Sequence, residues 1–395
     1  MSASPIPTYT HYPSSSPSYR DERLDTFRGL AMVWVVFNHV LFWMSFFYGS
    51  VFKSYFLIGT QLFFVIAGAS NGMSRPKPLW EFYYIRFKRI LFPYWFYCII
   101  TLIITIFVSS QPVNIGMALQ NRLLYFNMYP TNPEILSWAV WFVPVYLLVM
   151  ILFPFLRKYY EHTTQLFVKI IPLFLFAALV ILLQEKIIPI PAKIGHYYLM
   201  DLAKKTALYG FFAYLGLFFT VFMQRSKAQM LTGIILTVGC AIAVVATIRF
   251  CDASPSMQNN KFPPNFTFLL FSLGVLGILY LASDYIIRGI NFCKRNSVFA
   301  WIYRQYTKHG LTIFLFHPFV FLLLTELRKL AFATHNKTSV IAFIFTTLLA
   351  LPLSGVIGYL FSWVENLAQI KIRKTQTPNT EKSHENQKNN RQGNT

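Results

Sequence analysis

Apolar residues run along this chain in long blocks broken by short polar stretches. A helix of about 20 apolar residues crosses a hydrocarbon core about 30 Å thick, so each block of that size reads as a membrane span. The pattern predicts ten spans, at 27–48, 55–72, 90–109, 138–156, 167–184, 206–223, 230–248, 266–283, 311–325 and 339–363. The small residues Ala67, Gly68, Ala69 and Ser70 predict either a close helix approach or a local break in the second span. The stretches 75–89 and 110–137 read as loops, the first of them basic. The fold class expected is an all-α polytopic membrane protein with about ten transmembrane helices.

Ten spans put both termini on one side. About two thirds of the 35 lysines and arginines fall on that side, and cationic loops stay inside, so both termini are expected in the cytoplasm. The first 20 residues are rich in Ser, Pro and Tyr and lack the pattern of a cleaved signal peptide. They and the polar stretch 371–395 read as disordered tails flanking one domain at 21–370. No internal repeat and no appended soluble domain are visible.

Composition agrees with the pattern. The chain is 55% hydrophobic, 18% aromatic and only 12% charged, where soluble domains carry about 25% charged residues. The net charge of +21 suggests a polyanionic partner. Its cations are scattered among the loops, however, which fits membrane topology and anionic membrane lipids and excludes a nucleic-acid stripe. Cys98, Cys240, Cys251 and Cys293 form no close-spaced pair, so neither a disulfide framework nor a metal site is expected.

The first span carries the chemistry. Arg28 lies at its polar edge and His39 inside it, eleven residues on. At about 100° and about 1.5 Å per residue, the two side chains share one helix face and stand roughly 16 Å apart along the axis. That puts the imidazole near mid-membrane, where an ionisable group marks a functional site unless it only ties neighbouring helices together. Arg28 alone reads equally as a surface anchor. Asp25, three residues earlier, is spaced to pair with it.

Four stretches, taken in order, resemble the acyltransferase 3 family of membrane acyltransferases: LDTFRGLAMVWVVFNH, LFFVIAG, the pair Arg86 and Arg89 ahead of Pro93, and FLFHPF around His317. Trp141-Phe142 is similar to a further family segment. The likeness covers residues 21–365. Ala67 stands where the family usually has Ser, so no hydroxyl role is assigned there. The resemblance implies an enzyme that moves an acyl group, commonly acetyl, from cytoplasmic acyl-CoA to a hydroxyl of a cell-envelope carbohydrate or glycolipid. Acyl-CoA is then a substrate and no permanently bound cofactor is expected. The protein would sit in the inner or plasma membrane, with an envelope-biosynthesis protein as a possible partner.

The residues suit that chemistry. Low dielectric disfavours the imidazolium, so a neutral His39 can take a hydroxyl proton or attack a thioester. Arg28 is expected to act with it. Arg86 and Arg89 share a face if their helix has begun, and their guanidinium forks fit the phosphates of coenzyme A. They read otherwise as topological anchors, and Lys88 points elsewhere. His317, loosened by Pro318, and Trp141 are candidates for the acceptor cavity, against a bundle histidine and a packing aromatic. Glu365 reads as a helix-end residue. His11, His162, His309, His335 and His384 lie in tails or loops and receive no role. A competing class is a transporter or flippase of envelope precursors, which polar groups in a ten-span bundle would fit on physics alone. A family member that has lost activity is a third.

Overall fold

The computed structural model describes residues 22–44, 46–47, 49–184, 193–194, 197–331 and 340–367, without the side chains of 193–194, 197–198 and 328–331. The expected tails at 1–20 and 371–395 lie outside the described residues. Helices follow the apolar blocks: α1 (Glu22–Trp43), α2 (Gly59–Met73), α3 (Leu79–Val108), α4 (Ile115–Leu123), α5 (Phe142–His162), α6 (Leu166–Lys169), α7 (Ile171–Gln184) and α8 (Leu199–Leu215). They continue as α9 (Phe219–Phe222), α10 (Lys227–Phe250), α11 (Met257–Lys261), α12 (Phe266–Leu281), α13 (Ser283–Cys293), α14 (Ser297–Lys308), α15 (Gly310–Ala331) and α16 (Val340–Leu360). A two-residue antiparallel pair, β1 (Lys193–Ile194) with β2 (Tyr197–Tyr198), precedes α8.

Among the described residues, nine helical segments are long and apolar enough to cross a membrane, and α12 with α13 makes a tenth, bent by 63°. The chain is an all-α multi-pass membrane protein. The bend has a local cause. Arg225 binds the carbonyl oxygens of Tyr280 and Leu281 at 3.2 Å, where α12 runs out of intrahelical donors, and its Nε meets Asp284 at 3.3 Å in the first turn of α13. One guanidinium therefore closes the end of one helix and fixes the start of the next.

The centre of the bundle is α1, which packs on α2, α14, α15 and α16, while α2 packs on α8 and α8 on α5 and α7. In α8 the apolar window is 67% buried; in α7, α10 and α16 it is 17%. Those three helices present their apolar surface outward, as helices bathed in lipid do. The run 67–70 does not break α2. It lets α2 touch α8 and the 3-10 turn after it (Gly216–Phe218) backbone to backbone: a Cβ at Gly68 would strike the carbonyl of Ala213, and one at Gly216 the carbonyl of Val65, both far inside contact distance.

Two expected loops are folded. The basic stretch 75–89 is a loop only up to Pro78; helix α3 begins at Leu79, so Arg86 and Arg89 are helical. Pro78 sits at the N-cap, and Glu81 in the first turn pairs with Lys77 at 2.6 Å, an acidic group where the helix dipole favours one. The stretch 110–137 carries α4 and a 3-10 turn over Glu134–Ser137. Its anchor is Arg122, fully buried and hydrogen-bonded to the carbonyl of Pro130 and to Thr131 Oγ1 at 3.0 Å. Tyr94 donates to the Arg122 carbonyl at 2.8 Å and so ties this cap to α3.

The α2–α8 contact yields a test. Gly68→Ala or Gly216→Ala forces two backbones apart and should cost about 1–3 kcal/mol each, seen as a lower thermal midpoint in detergent. Gly239→Ala, at a position with nothing within 4 Å, should leave the midpoint unchanged. Equal midpoints for all three would mean that the helices do not touch there.

Candidate functional site

Arg28 and His39 do lie on one helix, with Arg28 toward its start. Arg28 Nη1 meets Asp25 Oδ1 at 2.5 Å, the pairing the spacing suggested, and Nη2 donates to Ser70 Oγ at 2.7 Å near the end of α2. Thus the start of α1 and the end of α2 share one side of the bundle, called here the Arg28 face. Arg157, late in α5, donates to the carbonyls of Asn71 and Ser74 at 2.7 Å, which puts the end of α5 on that face as well.

A cavity of about 740 Å³ opens at this face, large enough for a cofactor-sized ligand. Arg28, Arg86, Arg89 and Lys308 line it, against only two carboxylates, Asp25 and Glu365. Each carboxylate already has a cationic or imidazole neighbour, Asp25 with Arg28 and Glu365 with His309 at 3.4 Å. Arg86 and Arg89 make no ion pair with a carboxylate among the described residues; Arg86 lies over the Phe82 ring at 5.7 Å. Lys88 does not line the cavity and lies over Tyr84 instead. Guanidinium donors in excess of carboxylates give the cavity a lining whose chemistry complements phosphate oxygens. Glu365 and His309 were passed over in the sequence because one reads as a helix end and the other as a loop residue. The fold makes them adjacent lining residues of the same cavity.

The histidines form a second centre. His39 Nδ1 lies 2.6 Å from His317 Nε2, with ring planes 6° apart and centroids at 4.7 Å. Rings stacked face over face would not bring one atom pair so close, so this is an edge-to-edge hydrogen bond in a common plane. Its direction follows from the far side of His317, whose Nδ1 is 2.8 Å from the Phe314 carbonyl and 3.0 Å from that of Ile313. Facing two acceptors, Nδ1 carries the proton, and a neutral imidazole then has a bare Nε2. That nitrogen accepts from His39 Nδ1–H, which leaves the lone pair on His39 Nε2.

The dipeptide His317-Pro318 builds this arrangement. Proline has no N–H, so Pro318 gives the Phe314 carbonyl no helical partner, and the His317 ring supplies one. Trp43 stacks on His39 at 3.7 Å and 10° and also flanks His317 at 5.2 Å. Sequence reasoning missed Trp43, although it follows His39 by four residues and so shares its face. His317 is fully buried, while His39 keeps part of its surface open.

Neither histidine lines the arginine cavity. Phe142, a lining residue, is 4.7 Å from Phe314, and Phe314 is 6.2 Å from His317, so aromatic rings separate the two centres. Trp141 belongs to neither. It caps the start of α5, away from the Arg28 face, with Tyr209 and Phe262 each at 5.8 Å and the ammonium groups of Lys205 and Lys261 at 5.2 and 5.8 Å.

Residues 21–363, most of the chain, match the acyltransferase 3 family, whose description is an acyltransferase domain. The chain belongs to that family, and with its apolar helices it is a multi-pass membrane acyltransferase. No curated protein and no solved structure matches it.

The tautomer and exposure of the histidine pair can be checked chemically. Diethyl pyrocarbonate attacks an accessible imidazole lone pair, so peptide mass spectrometry of the folded protein should find His39 modified and His317 untouched. Faster modification of His317 would contradict the assignment.

Proposed function

We propose that this protein transfers an acyl group, acetyl by preference, from acyl-CoA to a hydroxyl of a cell-envelope carbohydrate or glycolipid. The observation that carries the reading is the hydrogen-bonded chain from the Phe314 carbonyl through His317 to His39. It leaves a neutral nitrogen with a free lone pair on the one ring of the pair that is open to contact. A base of this kind is what acyl transfer to a hydroxyl needs.

In this reading coenzyme A phosphates occupy the cavity of Arg28, Arg86 and Arg89, on the cytoplasmic side by the positive-inside bias. The thioester arm then has to pass Phe142 and Phe314 to reach His39. His39 Nε2 takes the acceptor hydroxyl proton as the oxygen bonds to the thioester carbon. The C–S bond breaks, the coenzyme A thiolate receives that proton, and an ester and a free thiol leave. As His39 gains positive character, its Nδ1–H donates more strongly to His317 Nε2, which is itself held by two carbonyls. His317 positions His39 and spreads the charge, much as an orienting group does in a nucleophile–base–orienter set. Arg28, fixed by Asp25 and Ser70, holds the donor end in register with the base on its own helix. We place the protein in the inner or plasma membrane with both termini cytoplasmic. Family membership favours acyl transfer over a carrier.

Thiol release from acetyl-CoA by protein in nanodiscs, supplied with a membrane extract as acceptor, tests this. His39→Ala should lower the rate by about 10²–10⁴-fold, the usual worth of a general base. His317→Ala should lower kcat and leave the KM for acetyl-CoA near wild type. The double change Arg86→Ala and Arg89→Ala should raise that KM about tenfold or more, as loss of charge-assisted phosphate contacts does. Wild-type turnover by His39→Ala would refute the base, and an unchanged KM in the double variant would refute the donor site.

A further inference from the structure

The side of the bundle away from the Arg28 face holds a group of residues that donor binding and proton transfer do not use. Lys205 on α8 and Lys261 at the end of α11 both bring their ammonium groups to Trp141 and to Phe262, at 5.2 and 5.8 Å from the first ring and 5.4 and 5.0 Å from the second. One carboxylate serves the pair: Asp201 binds Lys205 at 2.5 Å. Lys261 is 7% exposed and makes no ion pair or side-chain hydrogen bond among the described residues. Its stem is buried, yet its Nζ is not sealed from solvent.

A buried ammonium with no anion is costly, and two aromatic faces compensate only in part. Burial, with Lys205 beside it, pushes the Lys261 ammonium down to about 7. An anion docking there would restore its charge and supply the missing partner. Beside it, the half-buried Trp141 and the 40% exposed Phe262 offer apolar faces of the sort on which a sugar ring stacks. The group is also well placed relative to the histidines. Trp43, stacked on His39, packs edge-on against Trp138 at 5.7 Å, three residues before Trp141.

We propose that Trp141, Lys205 and Lys261 form the acceptor subsite, and that it takes a sugar bearing an anionic group, carboxylate or phosphate, with the ring against Trp141 and the anion between the two ammonium groups. This rests on the acyltransferase reading and narrows its acceptor class. The hydroxyl to be acylated would approach His39 from this side, while the thioester arrives from the arginine cavity.

The test is saturation-transfer NMR on the full chain in phosphatidylcholine nanodiscs, whose lipids carry no net charge. The probes are D-glucuronate, α-D-glucose 1-phosphate and D-glucose. At least one anionic sugar should saturate at a concentration about tenfold below glucose, the scale of one charge-assisted hydrogen bond. The two anionic probes show whether carboxylate or phosphate is preferred. Lys261→Gln and Lys205→Gln should each erase most of the preference, and either variant suffices if the other fails to fold. Equal binding of glucose and both anions by the wild type, or a preference unchanged in the variants, overturns the proposal. Thiol release from acetyl-CoA by the same wild-type preparation separates the two readings. Release without anion preference removes the subsite and leaves acyl transfer standing. Anion preference without release does the reverse.

Discussion

Inside a bilayer a polar group must find its partner within the protein, because no water is there to supply one. The hydrogen-bonded run from the Phe314 carbonyl to His317 and on to His39 is the answer this chain gives near the middle of its first helix. Everything about the centre follows from that requirement. A proline opens one carbonyl, one histidine fills it, and that histidine's second nitrogen has to take the proton of its neighbour. What remains unsatisfied is a single lone pair on the ring that is open to contact. The constraint that makes a buried imidazole costly thus also fixes its tautomer.

The same constraint separates the charges. Cations that would be costly inside gather at the two ends of the bundle, the arginines around one cavity and the lysine pair around Trp141. Each group exceeds the carboxylates around it. Between them lie the two histidines and a wall of aromatic rings, among them Phe142 and Phe314. A continuous polar channel would leak water and ions through the membrane, and apolar rings across the path interrupt it. The aromatic wall keeps the two charged ends apart and flanks the histidine pair.

Packing supports this layout from a distance. Backbone contacts at Gly68 and Gly216 hold α2 against α8 and the turn after it, just before Ser70 at the Arg28 face. Ser70 then meets Arg28 and Arg157 grips the carbonyls just beyond it. The outer helices α7, α10 and α16 instead turn most of their own apolar surface outward.

The spans were legible in the sequence because hydrocarbon thickness dictates their length and composition. Ten apolar blocks became, among the described residues, nine helical segments long and apolar enough to cross and one bent pair. Arg28 and His39 were legible because eleven residues of helix fix their relation on one face, and Asp25 because three residues do. Where local rules applied, the reading extended to the family, which the match over 21–363 bears out. Arg86 and Arg89 depended on where a helix starts, which Pro78 and Glu81 decide and which hydropathy does not mark. What no local rule could supply was partnership between distant parts of the chain. His39 and His317 are 278 residues apart, and their hydrogen bond exists only because α1 and α15 pack side by side. Glu365 and His309, or Lys205 and Lys261, are unremarkable charges in sequence and become neighbours when folded. Burial and pairing depend on neighbours brought in by the fold, so the sequence by itself determined which helices form and which polar groups they must carry, while the tertiary structure alone decided which of those groups meet.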